Sequence, residues 1–150
     1  MNVPPLIVHT ALASAIGAVD GIVNNWGTVR ENNLGLGGHV ANFVREDIPH
    51  IVTPLAVAQI VSGVDINTTA NVMMGSCAMP EQAIAMNILA GAVSAIAFAL
   101  RHRHQGSRGA FVALYGGAYM YAIGSNWGII PAVASHLAYN IAAEAVSREI

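Results

Sequence analysis

His136, Asn140 and Glu144 are spaced by four within one apolar stretch, so on a helix they form a single polar stripe. Earlier in the chain, Phe98 and His102 repeat that interval at the end of another apolar run. Imidazole, amide and carboxylate are the groups that transfer protons and donate hydrogen bonds to a developing charge. In hydrocarbon an unpaired ionisable group costs about 2.5–3.5 kcal/mol on insertion scales. A polar stripe there marks either a functional site or a set of interhelical hydrogen bonds. His136 and Asn140 fit both readings. Glu144, within a turn of the end of the run, reads as a snorkelling or solvated residue. Which meaning holds depends on whether these runs lie in water or in lipid.

Composition favours lipid. Hydrophobic residues make up 55% of the chain and charged residues 9%, with a mean hydropathy of +0.55, whereas a soluble domain carries about a quarter charged residues. A net charge of −2, with no Lys/Arg cluster interleaved with aromatics, excludes a nucleic-acid partner. The single cysteine, Cys77, rules out an internal disulfide and reads as a packing residue. The opening "MNVPPLIVHTALASA" has no Lys or Arg ahead of its apolar stretch, which disfavours a secretory signal. Nothing divides the composition, so residues 1–150 read as one integral membrane helical domain.

The positioning elements are five apolar segments, about 4–23, 48–64, 83–100, 109–124 and 129–146. They predict an all-α, polytopic transmembrane helix bundle of about five helices, with a soluble all-α assembly protein as the alternative. The third segment, "AIAMNILAGAVSAIAFAL", is uncharged and close to the roughly 20 residues that span a bilayer core. The first carries His9 and Asp20, and Pro4 and Pro5 suit its entry. Five crossings place Arg30, Arg45, Arg101, Arg103, Arg108 and Arg148 on one side, and there is no Lys. By the positive-inside rule that side is cytoplasmic and the amino terminus external. Trp26 and Trp127 fall near the interfaces, and the Asn/Gly-rich stretch 24–39 reads as a mobile cytoplasmic loop. Small residues in "LAGAVSA", "YGGAY" and "AVASHLA" allow close helix packing, so 83–146 is the expected core and the first segment its edge.

The run from "AGAVSAIAFALRH" through "YGGAYMYAIGSNWGIIPAVASHLAYN" resembles the CAAX-protease and bacteriocin-processing family of intramembrane proteases. Phe98 and His102 match its FxxxH motif, and His136 and Asn140 its HxxxN motif. The resemblance covers the carboxyl-terminal half. The family's remaining motif, a Glu pair with an Arg four residues later, is absent in that form. Glu81 in "PEQAIAM" would lie across the bilayer from His102, about 31 Å along one helix. "REDIPHI" is the better candidate: Glu46 and Asp47 open the second helix on the side where His102 closes the third, with Ile51 in the place of the Arg and Pro49 between. Acidic residues favoured at a helix amino terminus are the competing explanation.

The resemblance implies a membrane-embedded endopeptidase in which Glu46, near His102, acts as general base on a water. His136 and Asn140 would then donate to the oxyanion, where one donor is worth roughly 3–4 kcal/mol. Arg101-His102-Arg103-His104 sends its two imidazoles to different helix faces among repelling cations, so no metal is expected, and no other cofactor. Ser94 reads as a packing residue. The alternative function is a non-enzymatic structural membrane subunit of a larger complex or envelope. Either way the expected partners are the lipid bilayer and other membrane protein subunits.

Overall fold

The computed structural model describes residues 4–30 and 35–149. Helix α1 (Pro5–Asn25) begins behind Pro4, with Pro5 where a missing N–H costs nothing. Helix α2 starts at Gly35–Asn42, widens to π geometry over Phe43–Val52 and returns to α over Thr53–Val61. A short α3 (Ile66–Met73) is capped by the Asp65 carboxylate, which accepts from the amides of Asn67 and Thr68. Then come α4 (Glu81–Arg101), a 3-10 turn (Arg103–Gln105), α5 (Gly106–Trp127) and α6 (Ile129–Val146). Val29 and Arg30 pair in parallel with Arg148 and Glu149, tying the exits of α1 and α6 together.

Contacts along the helices give their directions. Ser94 reaches the His50 carbonyl and Arg101 the Arg45 carbonyl, so α2 and α4 are antiparallel. Tyr121 lies over Gly91 and donates to Asn87, so α4 and α5 are antiparallel too. The α5–α6 reversal is made at Gly128, whose φ of 94° belongs to glycine and whose Cα faces the Gly75 backbone too closely for a side chain. Helix α1 runs parallel to α6: Gly17 meets Ser135, Gly21 meets Tyr139, and Thr28 meets Ser147. A parallel first and last element requires an odd number of alternating passes, here α1, α2, α4, α5 and α6. The exits of α1, α4 and α6 and the entries of α2 and α5 therefore share one end, which carries Arg45, Arg101, Arg103 and Arg108.

Among the described residues, three helices are long and apolar enough to cross a membrane: α1, α4 and α6. The five expected spans are thus not all established. Arg45, Glu46, Asp47 and His50 dilute α2, and Ser107, Arg108, Ser125 and Asn126 dilute α5. The second helix also begins at Gly35 rather than near 48, so residues 35–39 of the predicted 24–39 loop are helical, while 31–34 lie outside the described residues. The expected 65–82 connection contains α3.

Burial is inverted relative to a soluble protein. Ile88 and Phe111 are each 70% exposed, and Val19, Val23, Val93 and Leu100 also project outward. Gln59, Asn87, Ser94, Ser135 and His136 are buried. An apolar exterior around a polar-spotted interior is what lipid selects, because tails solvate Leu and Ile while polar groups must find each other inside. Packing then relies on close approach. A methyl on Gly17 would collide with the Ser135 carbonyl oxygen, and one on Gly21 with that of Tyr139. Gly17-xxx-Gly21 is the small-residue stripe that seats α1, and α1 is the least buried of the three long apolar helices.

Candidate functional site

Helix α2 departs from α geometry because of two prolines. Pro49 and Pro54 have no N–H, so the carbonyls four residues earlier, Arg45 and His50, lose their ordinary helical donors. Helix α4 supplies replacements. The Arg101 guanidinium donates to the Arg45 oxygen at 2.8 Å, and the Ser94 hydroxyl donates to that of His50. The backbone takes up the remaining slack by five-residue hydrogen bonding, as in Thr53 N–H to Ile48 O. Ser94, expected to pack only, is a backbone ligand. The widened turn re-aims Glu46, Asp47 and His50 toward α4 and α6.

Glu46 and Asp47 do not open the helix, as the sequence suggested, but sit inside it, so helix-terminus electrostatics does not explain them. Asp47 is 3% exposed and accepts from His136 Nδ1 at 2.5 Å. The Glu46 carboxylate stands between two imidazoles, with Oε2 at 3.5 Å from His136 Nε2 and Oε1 at 3.8 Å from His102 Nε2. His102 ends α4, and its Nδ1 donates to the Phe98 carbonyl at 2.9 Å. In a neutral His102 that bond leaves Nε2 unprotonated and directed at Glu46. The Phe98 ring packs 4.3 Å from the His102 ring and edge-on to His136 at 6.4 Å. The Glu46 side chain, reaching across from α2, joins the two histidines of α4 and α6.

Asn140, one turn beyond His136, completes the set. Glu46, His102, His136 and Asn140 all line one cavity of about 610 Å³, which the sequence-predicted residues share with Asp47 and Phe98. Glu81 lies in the first turn of α4, at the far end from His102. The same cavity is lined by residues outside the sequence motifs: Asp20 and Asn25 of α1, His50 of α2 and Tyr139 of α6. Asn25 donates to the Tyr139 hydroxyl at 3.0 Å, fastening that wall. Gly116 of α5 also lines the cavity, and a side chain there would meet nothing within 4 Å. It therefore serves no helix contact and keeps space open. The sequence signal for α2 was available in the two prolines, since each names a carbonyl that needs an outside donor.

Glu144 is not a solvated end residue. Its Oε2 lies 3.2 Å from His39 Nε2, with side chains 15% and 4% exposed, and this pair pins the start of α2 to the end of α6. Among the described residues no group of three or more His, Cys, Asp or Glu has the arrangement to hold a metal ion.

The arrangement offers two converging acceptors, Glu46 Oε1 and His102 Nε2, at a separation suited to receiving the two hydrogens of one water. Beside them are two donors, His136 and the Asn140 amide. A His136 ring that donates to Asp47 from Nδ1 and outward from Nε2 is the doubly protonated imidazolium, flanked here by two carboxylates. Searches against protein-family models, characterised proteins and solved structures gave no match for this chain.

Proposed function

We propose that this protein is a membrane-embedded endopeptidase of the CAAX-protease and bacteriocin-processing type. In this reading all five long helices cross the bilayer, the arginine-bearing end is cytoplasmic and the amino terminus is external. The inverted burial and the three long apolar helices support the membrane setting. The observation that carries the function is the Glu46 carboxylate held between His102 and His136 at the wall of a large cavity.

Glu46 accepts a proton from a water that His102 Nε2 also orients, and the resulting hydroxide attacks the scissile carbonyl carbon. The carbonyl π pair moves onto oxygen, and that oxyanion is met by His136 Nε2–H and the Asn140 amide. Protonated Glu46 returns the proton to the leaving nitrogen as the C–N bond breaks, giving an amine and a carboxylic acid. Asp47 does not touch substrate; it holds the His136 ring in the donating orientation. Phe98 fixes the His102 tautomer through its carbonyl and the ring position through its side chain.

The test is cleavage of a membrane-anchored reporter by the purified chain in vesicles. Glu46→Gln should lower the rate by about 10²–10⁴-fold, the usual contribution of a general base. Asn140→Ala should lower it by about 10²–10³-fold, as for one oxyanion donor. Folding and expression should be unaltered. A Glu46→Gln protein that cleaves at the parent rate refutes the mechanism.

One observation favours the alternative, a non-catalytic membrane subunit. Where the family has its Arg, Ile51 is buried in the core with Ala13, Met120, Ile123 and Ala132. In that case the Glu46-His136-Asp47 cluster is an interhelical pin, the wild-type chain cleaves no reporter, and the exposed apolar faces meet other subunits.

A further inference from the structure

We infer that Asp20 of α1 binds a cationic side chain of the peptide, so that the large cavity selects a substrate with Lys or Arg close to the scissile bond. The inference rests on the peptidase reading and names the substrate class of that site. Asp20 is the one acidic residue of α1, which has no Lys or Arg. Its neighbours Val19 and Val23 project outward, whereas Asp20 lines the cavity. Close packing fixes that rotation, because Gly17 abuts the Ser135 carbonyl and Gly21 that of Tyr139. The same two contacts set the depth of Asp20, level with the stretch of α6 that carries His136. Asp20 therefore stands on a different helix of the same cavity, at the height of the proposed oxyanion donors.

Electrostatics gives the preference its sign. Glu46, Asp47 and Glu144 each have an imidazole beside them. Asp20 has none: its Oδ1 accepts from the Asn24 amide of its own helix at 3.3 Å, and among the described residues its Oδ2 accepts nothing. Arg108 reaches this helix at the Asn24 carbonyl instead. Three carboxylates and no Lys or Arg line the cavity. An ionisable group in a membrane helix that lacks an internal partner marks a ligand path. The Asn25 amide nitrogen is spent on the Gly21 carbonyl and the Tyr139 hydroxyl, which leaves its carbonyl oxygen as a second acceptor on the same wall. An ammonium, with three donors and no acceptor, suits that wall. The cavity extends to His104 and Gln105, both exposed at the arginine-bearing end, so a hydrated cation enters without crossing hydrocarbon. The arginines at that end are exposed and screened by salt over about 8 Å. A cavity of about 610 Å³ has an edge of about 8.5 Å, the length of two to three extended residues, which sets the distance from cation to scissile bond.

The probes are nonapeptides of Gly and Ser with a neutral nitrobenzoxadiazole label, a carboxyl-terminal amide and one variable central residue: Lys, its uncharged isostere norleucine, or Glu. Binding is measured to the full chain carrying Glu46→Gln, in detergent, where cleavage cannot interfere. Lys should bind at least tenfold more tightly than norleucine, the worth of one charge-assisted hydrogen bond, and Glu more weakly than both. Asp20→Asn should bring the Lys peptide down to the norleucine level and leave the norleucine peptide unchanged, which also shows that the variant is folded. Asp20→Glu keeps the charge and should keep the preference, as should Glu81→Gln at the far end of α4. Equal binding of Lys and norleucine overturns the inference, as does a Lys preference that survives Asp20→Asn or one that Asp20→Glu abolishes. Cleavage by the chain with Glu46 intact is read separately, and its cuts should fall within three residues of the Lys. Lys preference without any cleavage leaves the Asp20 site standing and removes the peptidase reading. Cleavage without Lys preference does the reverse.

Discussion

Replacing Gly17 by Ala should unseat α1, although alanine is the better helix former. On propensity alone the exchange stabilises a helix by up to about 1 kcal/mol. The tertiary contact opposes it, because the new methyl would stand within collision distance of both the carbonyl oxygen and the hydroxyl of Ser135. A backbone carbonyl inside α6 cannot swing aside, so α1 must withdraw. A gap of about 0.5–1 Å forfeits a quarter to a half of the dispersion well at each contact, and overpacking of this kind costs about 1–3 kcal/mol. In lipid no hydrophobic force compensates, so the cost outweighs the propensity gain. Gly116→Ala is the matched control: its methyl meets nothing within 4 Å, and it should stabilise by about 0.5–1 kcal/mol. Gly21→Ala should destabilise like Gly17→Ala, and the double variant by less than the sum, because one withdrawal relieves both collisions. Trp127 provides the readout, since its ring stacks on His9 of α1 with centroids 4.9 Å apart and planes 11° apart. In a Trp26→Phe background it is the sole indole, and its fluorescence during detergent or SDS titration reports α1 separation. The reasoning fails if Gly17→Ala stabilises the protein as Gly116→Ala does.

Ser94→Ala should destabilise by about 1–3 kcal/mol, because the part-buried His50 carbonyl, already without its ordinary donor at Pro54, also loses the Ser94 hydroxyl; chemical denaturation against the parent measures it. Asp65 responds to acid. Its Thr68 hydroxyl contact, with the Thr68 and Asn67 amides, holds the carboxyl below its ordinary value of 3.8. With the folded pKa depressed, the capped state is favoured above that value and the advantage disappears as pH falls through the lower, folded pKa. The protection factors of the Asn67 and Thr68 amides, relative to their intrinsic exchange at each pH, should fall below about pH 4 in the parent protein and show no such step in Asp65→Asn. Cys77 is exposed on the end opposite the arginines, so an impermeant thiol reagent should label it in intact cells. Labelling only after permeabilisation reverses the proposed orientation.

Much of this protein is legible in the chain itself because lipid simplifies the code. A long uncharged run has to be a helix when no water is available to its backbone, and 83–100 accordingly lies within α4. Spacing by four puts His136 and Asn140 on one face of α6 whatever surrounds that helix. The sorting of the arginines agrees with the end shared by Arg45, Arg101, Arg103 and Arg108, while the five crossings it assumed belong to the proposal. What depended on tertiary structure was how the elements approach one another. No spacing rule reveals that Glu46 reaches two imidazoles, since it joins residues from α2, α4 and α6 that are far apart in sequence. Glu46 and Asp47 looked like helix-opening carboxylates because the apolar pattern begins only after them, whereas the helix starts at Gly35. The π turn exists because carbonyls freed by Pro49 and Pro54 found Arg101 and Ser94 on a neighbouring helix. His39 and Glu144 looked like a loop residue and a solvated end, and their pairing required α1 and α6 to run parallel. Local periodicity is a property of the backbone and can be read in order, but convergence of side chains depends on distances between helices, which packing alone sets.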